Sequence, residues 1–162
     1  MSSSDSRALQ PPAFDPAAVP SKTGTGYPEP FREQVLRRSK KLLADAAGLK
    51  AFGVNLVRLE PGGWSSQRHW HTHEDELVYV LEGEVVLVTN AGEQILGPGM
   101  AAGFPAGKQD GHHFVNRTER AAVYLEIGNR VEADECFYPD IDMEWRMTPA
   151  GPAYVHRNGD PY

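Results

Sequence analysis

Three histidines and several carboxylates stand immediately ahead of an apolar run in the segment HWHTHEDELVYVLEGEV, residues 69–85. His69 and His71 are two positions apart, so on an extended strand both imidazoles face the same side. A metal ion over that face can take one ring nitrogen from each, and Glu76 offers a carboxylate oxygen. Neutral imidazole with carboxylate suits Fe(II), Mn(II), Zn(II), Ni(II) and Cu(II), whereas calcium and magnesium favour all-oxygen shells. By alternation His73 would share that face, but the turn toward Glu76 re-aims it to the periphery or surface. Glu74 and Asp75 read as solvated neighbours. Alone, the segment has a plainer reading as a solvated His-rich turn.

A second stretch, GMAAGFPAGKQDGHHFVNR from Gly99, supplies His112 and His113 far along the chain, the separation a folded site requires. Together the two stretches resemble the paired signature of the cupin superfamily. In the first, Gly63 is followed by His69, His71, Glu76 and Gly83 at the family's intervals; the second runs Gly99, Pro105, Gly107, a histidine and Asn116. One interval, the four residues between Gly107 and His112, is longer than the usual pattern and leaves the shape of the 108–111 loop open. The spacing to Asn116 selects His112 over His113. The resemblance covers residues 51–128. It implies an all-β, single-domain cupin, a jelly-roll-type barrel or sandwich, with one divalent transition metal (Fe, Mn, Zn or Ni) held by His69, His71, Glu76 and His112. Four such ligands leave two octahedral positions open for water, substrate or dioxygen. A structural zinc site would be closed and tetrahedral, often with thiolates, and no cysteine stands near the cluster in sequence.

The elements that must position these residues are short β-type runs between turn signals. They are AFGVNLVRLE before Pro61-Gly62-Gly63, ELVYVLEG, EVVLVT before Asn90-Ala91-Gly92, EQIL before Gly97-Pro98-Gly99, MAAGFPAG, HHFVNR and AAVYLEIGNR. Such spacing predicts a sandwich or small barrel. A turn at Gly83 joins two of the runs into a hairpin. Val78 and Val80 share parity with Glu76 and should line the barrel wall, and Gln67, in phase with His69 and His71, should reach the pocket mouth as a substrate-binding residue.

Residues 1–30, rich in Pro, Ser and Gly, read as an extended or flexible arm, and residues 31–162 as the cupin domain. A helical signal runs from Phe31 to Leu49, with Leu42, Leu43, Ala46 and Ala47 sharing a face ahead of Gly48. Pro139 closes the strands, and the aromatic, proline-rich tail within 129–162 is expected as an irregular cover. Its Asp140, Asp142 and Glu144 lack the glycine of a calcium loop.

At 162 residues the chain is sized for one domain with its own core. Its formal charge of −6 argues against nucleic acid and anionic membrane as partners. The one basic run, Arg37, Arg38, Lys40 and Lys41, reads as a solvated face. A single cysteine, Cys136, reads as a small semi-buried hydrophobe whose acidic neighbours Glu132, Asp134 and Glu135 disfavour a thiolate. The N-terminal residues lack the apolar stretch of a signal peptide, and a reducing cytoplasm is the expected compartment. Homodimers are implied by the resemblance, with the arm expected to pack on a neighbouring barrel through Tyr27 and Phe31, while Gly24 and Gly26 permit close approach.

Three functions share the four ligands. In an isomerase or lyase, resembling sugar or sugar-phosphate isomerase-like cupins, the metal polarises an oxygen while a base moves a proton; Glu126 and Glu60 are the candidate bases. An Fe(II) dioxygenase needs no separate base, and a non-catalytic cupin would only bind a small ligand.

Overall fold

The computed structural model describes residues 9–162; the first eight residues of the arm lie outside the described residues. In chain order the strands are β1 (Ser21–Thr23), β2 (Arg38–Leu42), β3 (Phe52–Leu59), β4 (Trp70–His71), β5 (Glu76–Glu82), β6 (Val85–Thr89) and β7 (Gly92–Leu96). They continue as β8 (Ala101–Phe104), β9 (His113–Val115), β10 (Ala122–Asn129), β11 (Cys136–Tyr138), β12 (Met143–Thr148) and β13 (Gly151–Val155). The neighbours form a six-stranded sheet ordered β1-β2-β3-β10-β5-β8, a three-stranded sheet β7-β6-β9 and a four-stranded sheet β13-β12-β11-β4. This is the all-β barrel expected from the turn spacing, of the jelly-roll type that the family resemblance implied.

Alternation places the core. On β5, Val78 and Val80 are buried whereas Leu77, Tyr79 and Leu81 are exposed, so Glu76, in phase with the valines, is carried on the inner face. Val57, Leu59, Ala122 and Tyr124 of the large sheet meet Val85, Leu87, Leu96 and Phe114 in one cluster that closes one end of the barrel. Gly83 makes the β5–β6 turn with a φ of 71°, and a Cβ there would stand 2.7 Å from the Ala121 carbonyl oxygen. Both the backbone angle and the close approach exclude other residues.

Three segments differ from the sequence expectation. The helical signal over 31–49 becomes a 3₁₀ turn at Glu33–Arg37, strand β2 and a single helical turn, α1 (Leu43–Ala46). The exposed edge of β3 decides this, because β2 satisfies it residue by residue from Arg38↔Leu59 to Leu42↔Asn55. The tail is not irregular: β12 pairs with both β11 and β13, and β11 continues onto β4 through Cys136↔His71 and Phe137↔Trp70. Pro139 therefore falls between two strands. The arm packs on its own chain, since β1 pairs with β2 and Tyr27 is buried in a second cluster with Val35, Cys136, Tyr138 and Met143.

That second cluster roofs the barrel from the arm and the tail together. Tyr27 meets Tyr138 edge-on at 5.7 Å and Tyr154 at 5.3 Å. Tyr27→Ala is expected to cost about 3 kcal/mol in urea unfolding. The loss should not vary with protein concentration, as it would if the arm docked on a neighbour.

Candidate metal centre

Two backbone hydrogen bonds set the geometry of the site. His69 N–H donates to the His112 carbonyl at 3.2 Å and His112 N–H to the His69 carbonyl at 2.8 Å, an isolated bridge outside the regular strands. Residues paired this way project their side chains to one side. Strand β4 carries His71, and β5 brings Glu76 across the barrel. Glu76 Oε2 lies 2.8 Å from His112 Nε2, 3.5 Å from His71 Nε2 and 3.6 Å from His69 Nε2. The four side chains are between 6% and 18% exposed, desolvated yet reachable from a cavity.

The outer nitrogens are fixed by what they touch. His71 Nδ1 sits 2.6 Å from Asp134 Oδ2, and His69 Nδ1 lies 2.9 Å from the Gln67 carbonyl oxygen. Carboxylate and carbonyl oxygens only accept, so each Nδ1 carries a proton; Nε2 donates to Glu76 when the ring is charged, and in the neutral ring its lone pair is free for a metal. The third ring, His112, is clamped face to face on Phe104 with centroids 3.5 Å apart. Burial opposes the charge on Glu76, yet hydrogen bonds from His112 and His69 hold its carboxyl well below the usual carboxylate range. Burial lowers the basicity of His112, with Glu76 opposing, whereas at His69 the bond and charge of Glu76 outweigh burial and raise it. Convergent imidazole nitrogens with oriented tautomers and one ionised carboxylate fit a divalent transition metal.

The remaining candidates separate clearly. His113 points away: its Nδ1 donates to the Ser66 carbonyl at 3.0 Å and its ring packs on Trp64. The long 108–111 loop is taken up against the 89–92 turn, where Asn90 N–H donates to Asp110 at 2.8 Å, so the register at His112 is undisturbed. Glu60 is exposed and paired with Arg58 at 2.7 Å, far from the cluster's chemistry. Gln67 is buried but donates to the Phe31 carbonyl at 2.7 Å instead of reaching the pocket, because residues 65–68 bend and the strand parity behind that expectation fails. His73 is exposed, as expected.

Five groups near the cluster were not legible. Asp134 orients His71, and Glu74 is half-buried beside both, accepting from Val131 N–H at 2.9 Å instead of standing in solvent. Cys136, brought in by the β4–β11 pairing, has its sulfur within 4.8 Å of ligand atoms of His69 and His71, although nothing in the sequence places a cysteine there. Burial pushes its thiol far up, so it stays protonated and poorly suited to ligation. Lys40 turns inward to bond Glu126 at 2.7 Å, and Arg38 enters the same cavity; of the basic run only Arg37 is exposed, and Lys41 donates to the carbonyls of Pro16 and Ala17. Alternation along β2, hidden under a helical reading, is the signal that would have found them.

The cluster borders two cavities. One of about 370 Å³ holds Arg38, Lys40, Glu126 and the rings of Tyr27, Tyr138 and Tyr154. The other, about 620 Å³, opens between β7 and β8 past Phe104 and Lys108.

A histidine- and carboxylate-lined centre inside a jelly-roll barrel defines a cupin-type small-molecule site. Residues 55–128 match the Cupin domain model, and the chain belongs to the cupin superfamily. It is similar to a sugar phosphate isomerase of that superfamily from Silicibacter pomeroyi, with 43% identity, TM-score 0.89, and coverage of 93% of this chain and 96% of that one. A structure from Acidithiobacillus ferrooxidans, provisionally assigned the same activity, is 31% identical over 77% of this chain and 80% of that one, with TM-score 0.70. A polyketide cyclase from Streptomyces resistomycificus, 22% identical over 72% of this chain and 78% of that one with TM-score 0.59, shares the fold. No curated protein matches the sequence. Among the described residues no helix is long and apolar enough to cross a membrane.

Metal titration of the purified chain separates the roles. His112→Ala is expected to abolish stoichiometric uptake and His113→Ala to retain it. Asp134→Asn should weaken affinity about 10- to 100-fold by releasing the His71 ring.

Proposed function

We propose that the protein is a metal-dependent cupin enzyme that moves a proton on a small polyhydroxylated carbonyl compound, in the manner of a sugar or sugar-phosphate isomerase. His69, His71, Glu76 and His112 would hold the metal, which supplies a Lewis acid for a substrate oxygen when bound. The observation that carries this reading is a second, separately held carboxylate in the same cavity. Glu126 receives hydrogen bonds from Lys40 at 2.7 Å and Asn55 at 3.2 Å. Burial works against its charge, but the charges of Lys40 and Arg38 keep its carboxyl below the ordinary value. An ionised carboxylate facing the cavity can take the proton from the carbon beside a carbonyl and return it to the carbonyl carbon while the hydroxyl proton passes to the carbonyl oxygen, which interconverts aldose and ketose. The surrounding tyrosines offer hydroxyls to the sugar.

Two other readings share the same ligands, an Fe(II) dioxygenase and a non-catalytic binding cupin. The presence of a positioned base favours proton transfer, since neither alternative needs one. The test is deuterium wash-in from solvent at the carbon beside the carbonyl, read by NMR over a panel of aldoses, ketoses and their phosphates, with metal-reconstituted protein. Glu126→Gln is expected to lower the exchange rate about 10²- to 10⁴-fold with metal content unchanged. Oxygen uptake without exchange would establish the dioxygenase instead.

The working unit is taken to be a homodimer, supported by the outer face of the six-stranded sheet instead of the arm. There Val54, Ile127 and Leu77 stand in one cross-strand row and Leu56, Leu125 and Tyr79 in the next. Leu77 and Tyr79 are exposed, and a continuous apolar face of this kind marks a protein contact. Light scattering of the full chain should give twice the monomer mass, and a Leu77→Lys, Tyr79→Lys double variant the monomer mass. A monomeric parent protein would refute the dimer.

A further inference from the structure

Strand β2 presents two cations to the 370 Å³ cavity, and only one of them forms a direct ion pair. Lys40 is paired with Glu126. Arg38 gives its guanidinium to the carbonyl oxygen of Ser65, a neutral acceptor, and among the described residues it forms no ion pair. A half-buried guanidinium bonded directly only to a neutral carbonyl keeps donors free, and its planar fork matches carboxylate and phosphate oxygens.

Tyr124 supplies an independent observation in the same wall. Its side chain is fully buried and lines the cavity, and its hydroxyl, beside that of Ser65, makes no hydrogen bond of good geometry. The strand register places it one row from Arg38: Tyr124 pairs with Val57, which pairs with Lys40, while Arg38 pairs with Leu59 and so faces Ala122 across the sheet. Buried hydroxyls are normally satisfied, and an unsatisfied one facing a cavity marks the place of a ligand oxygen.

We propose that Arg38 and Tyr124 form a subsite for an oxyanion of the substrate, a carboxylate or a phosphate, so that the cavity selects an anionic polyhydroxylated compound over its neutral counterpart. This rests on the reading of that cavity as the substrate chamber. Arg38 provides charge and a bidentate fork, Tyr124 a single neutral O–H donor, and Lys40 remains engaged with Glu126. The subsite thus lies on the barrel wall beside the proton-moving carboxylate and apart from the histidine cluster, which fixes the substrate by two ends.

Calorimetric titration of the full chain, metal-free and metal-reconstituted, with glucose 6-phosphate, gluconate and glucose tests this. At least one of the two anions is expected to bind about tenfold or more tightly than glucose. The favoured anion identifies phosphate or carboxylate as the group recognised. Arg38→Gln should bring the anion-to-glucose ratio near unity, with Arg38→Lys restoring part of it. Tyr124→Phe, which removes one oxygen atom and keeps the ring, should lower anion affinity and carries the same comparison if Arg38→Gln fails to fold. Equal binding of glucose, no binding of either anion, or an anion preference that survives in folded Arg38→Gln and Tyr124→Phe would overturn the proposal. A preference present in protein that catalyses no exchange would leave this subsite standing while the isomerase reading falls; exchange without a preference would do the reverse.

Discussion

A carboxylate held within hydrogen-bonding reach of imidazoles in the interior of a barrel is the constraint on which the remaining structure depends. Glu76 has lost much of its water, and its charge is tolerated because three imidazole nitrogens converge on one of its oxygens. That convergence requires strands remote in sequence to be in register. The His69–His112 bridge, the inward phase of β5 and the β4–β11 pairing each fix one member. A slip of one residue in any of them would turn its side chain away from the centre.

The orientation of the rings is controlled from outside the centre. Asp134 and the Gln67 carbonyl each occupy an Nδ1, and Phe104 stacks on His112. Asp134 also accepts from the backbone N–H groups of His73 and Glu74, so one carboxylate ties the histidine segment to the loop that leads into β11. The tail sheet therefore shapes the centre as well as covering it.

The cavity has a division of labour along its wall. One end presents the nitrogen-rich cluster, the middle presents Glu126 with Lys40, and Arg38 and Tyr124 supply further polar groups. Every one of these lies on a strand of the six-stranded sheet or on a segment hydrogen-bonded to the barrel, a rigid support for groups that must act together. The two tyrosine-rich walls come from the chain's extremities, with Tyr27 from the arm and Tyr138 and Tyr154 from the tail.

Residue types and spacing were enough to announce the all-β barrel and to point to His69, His71 and Glu76, and the resemblance to the cupin motifs added His112 to the set. The barrel and the first three ligands depend on local rules: alternation decides which side a strand residue faces, and turn residues mark where strands end. The same rules misplace Gln67, because its segment bends, and they read β2 as helix, because Leu42, Leu43, Ala46 and Ala47 carry helical spacing while the edge of β3 supplies the stronger demand for a strand. Only the tertiary structure decided the partners. Asp134 and Cys136 reach the histidines through pairing of the tail with β4, and Lys40 reaches Glu126 across 86 residues of sequence. Hydrogen bonds and ion pairs between distant segments leave no periodic trace in the chain, since each end is free to be any polar residue until the fold sets it opposite the other.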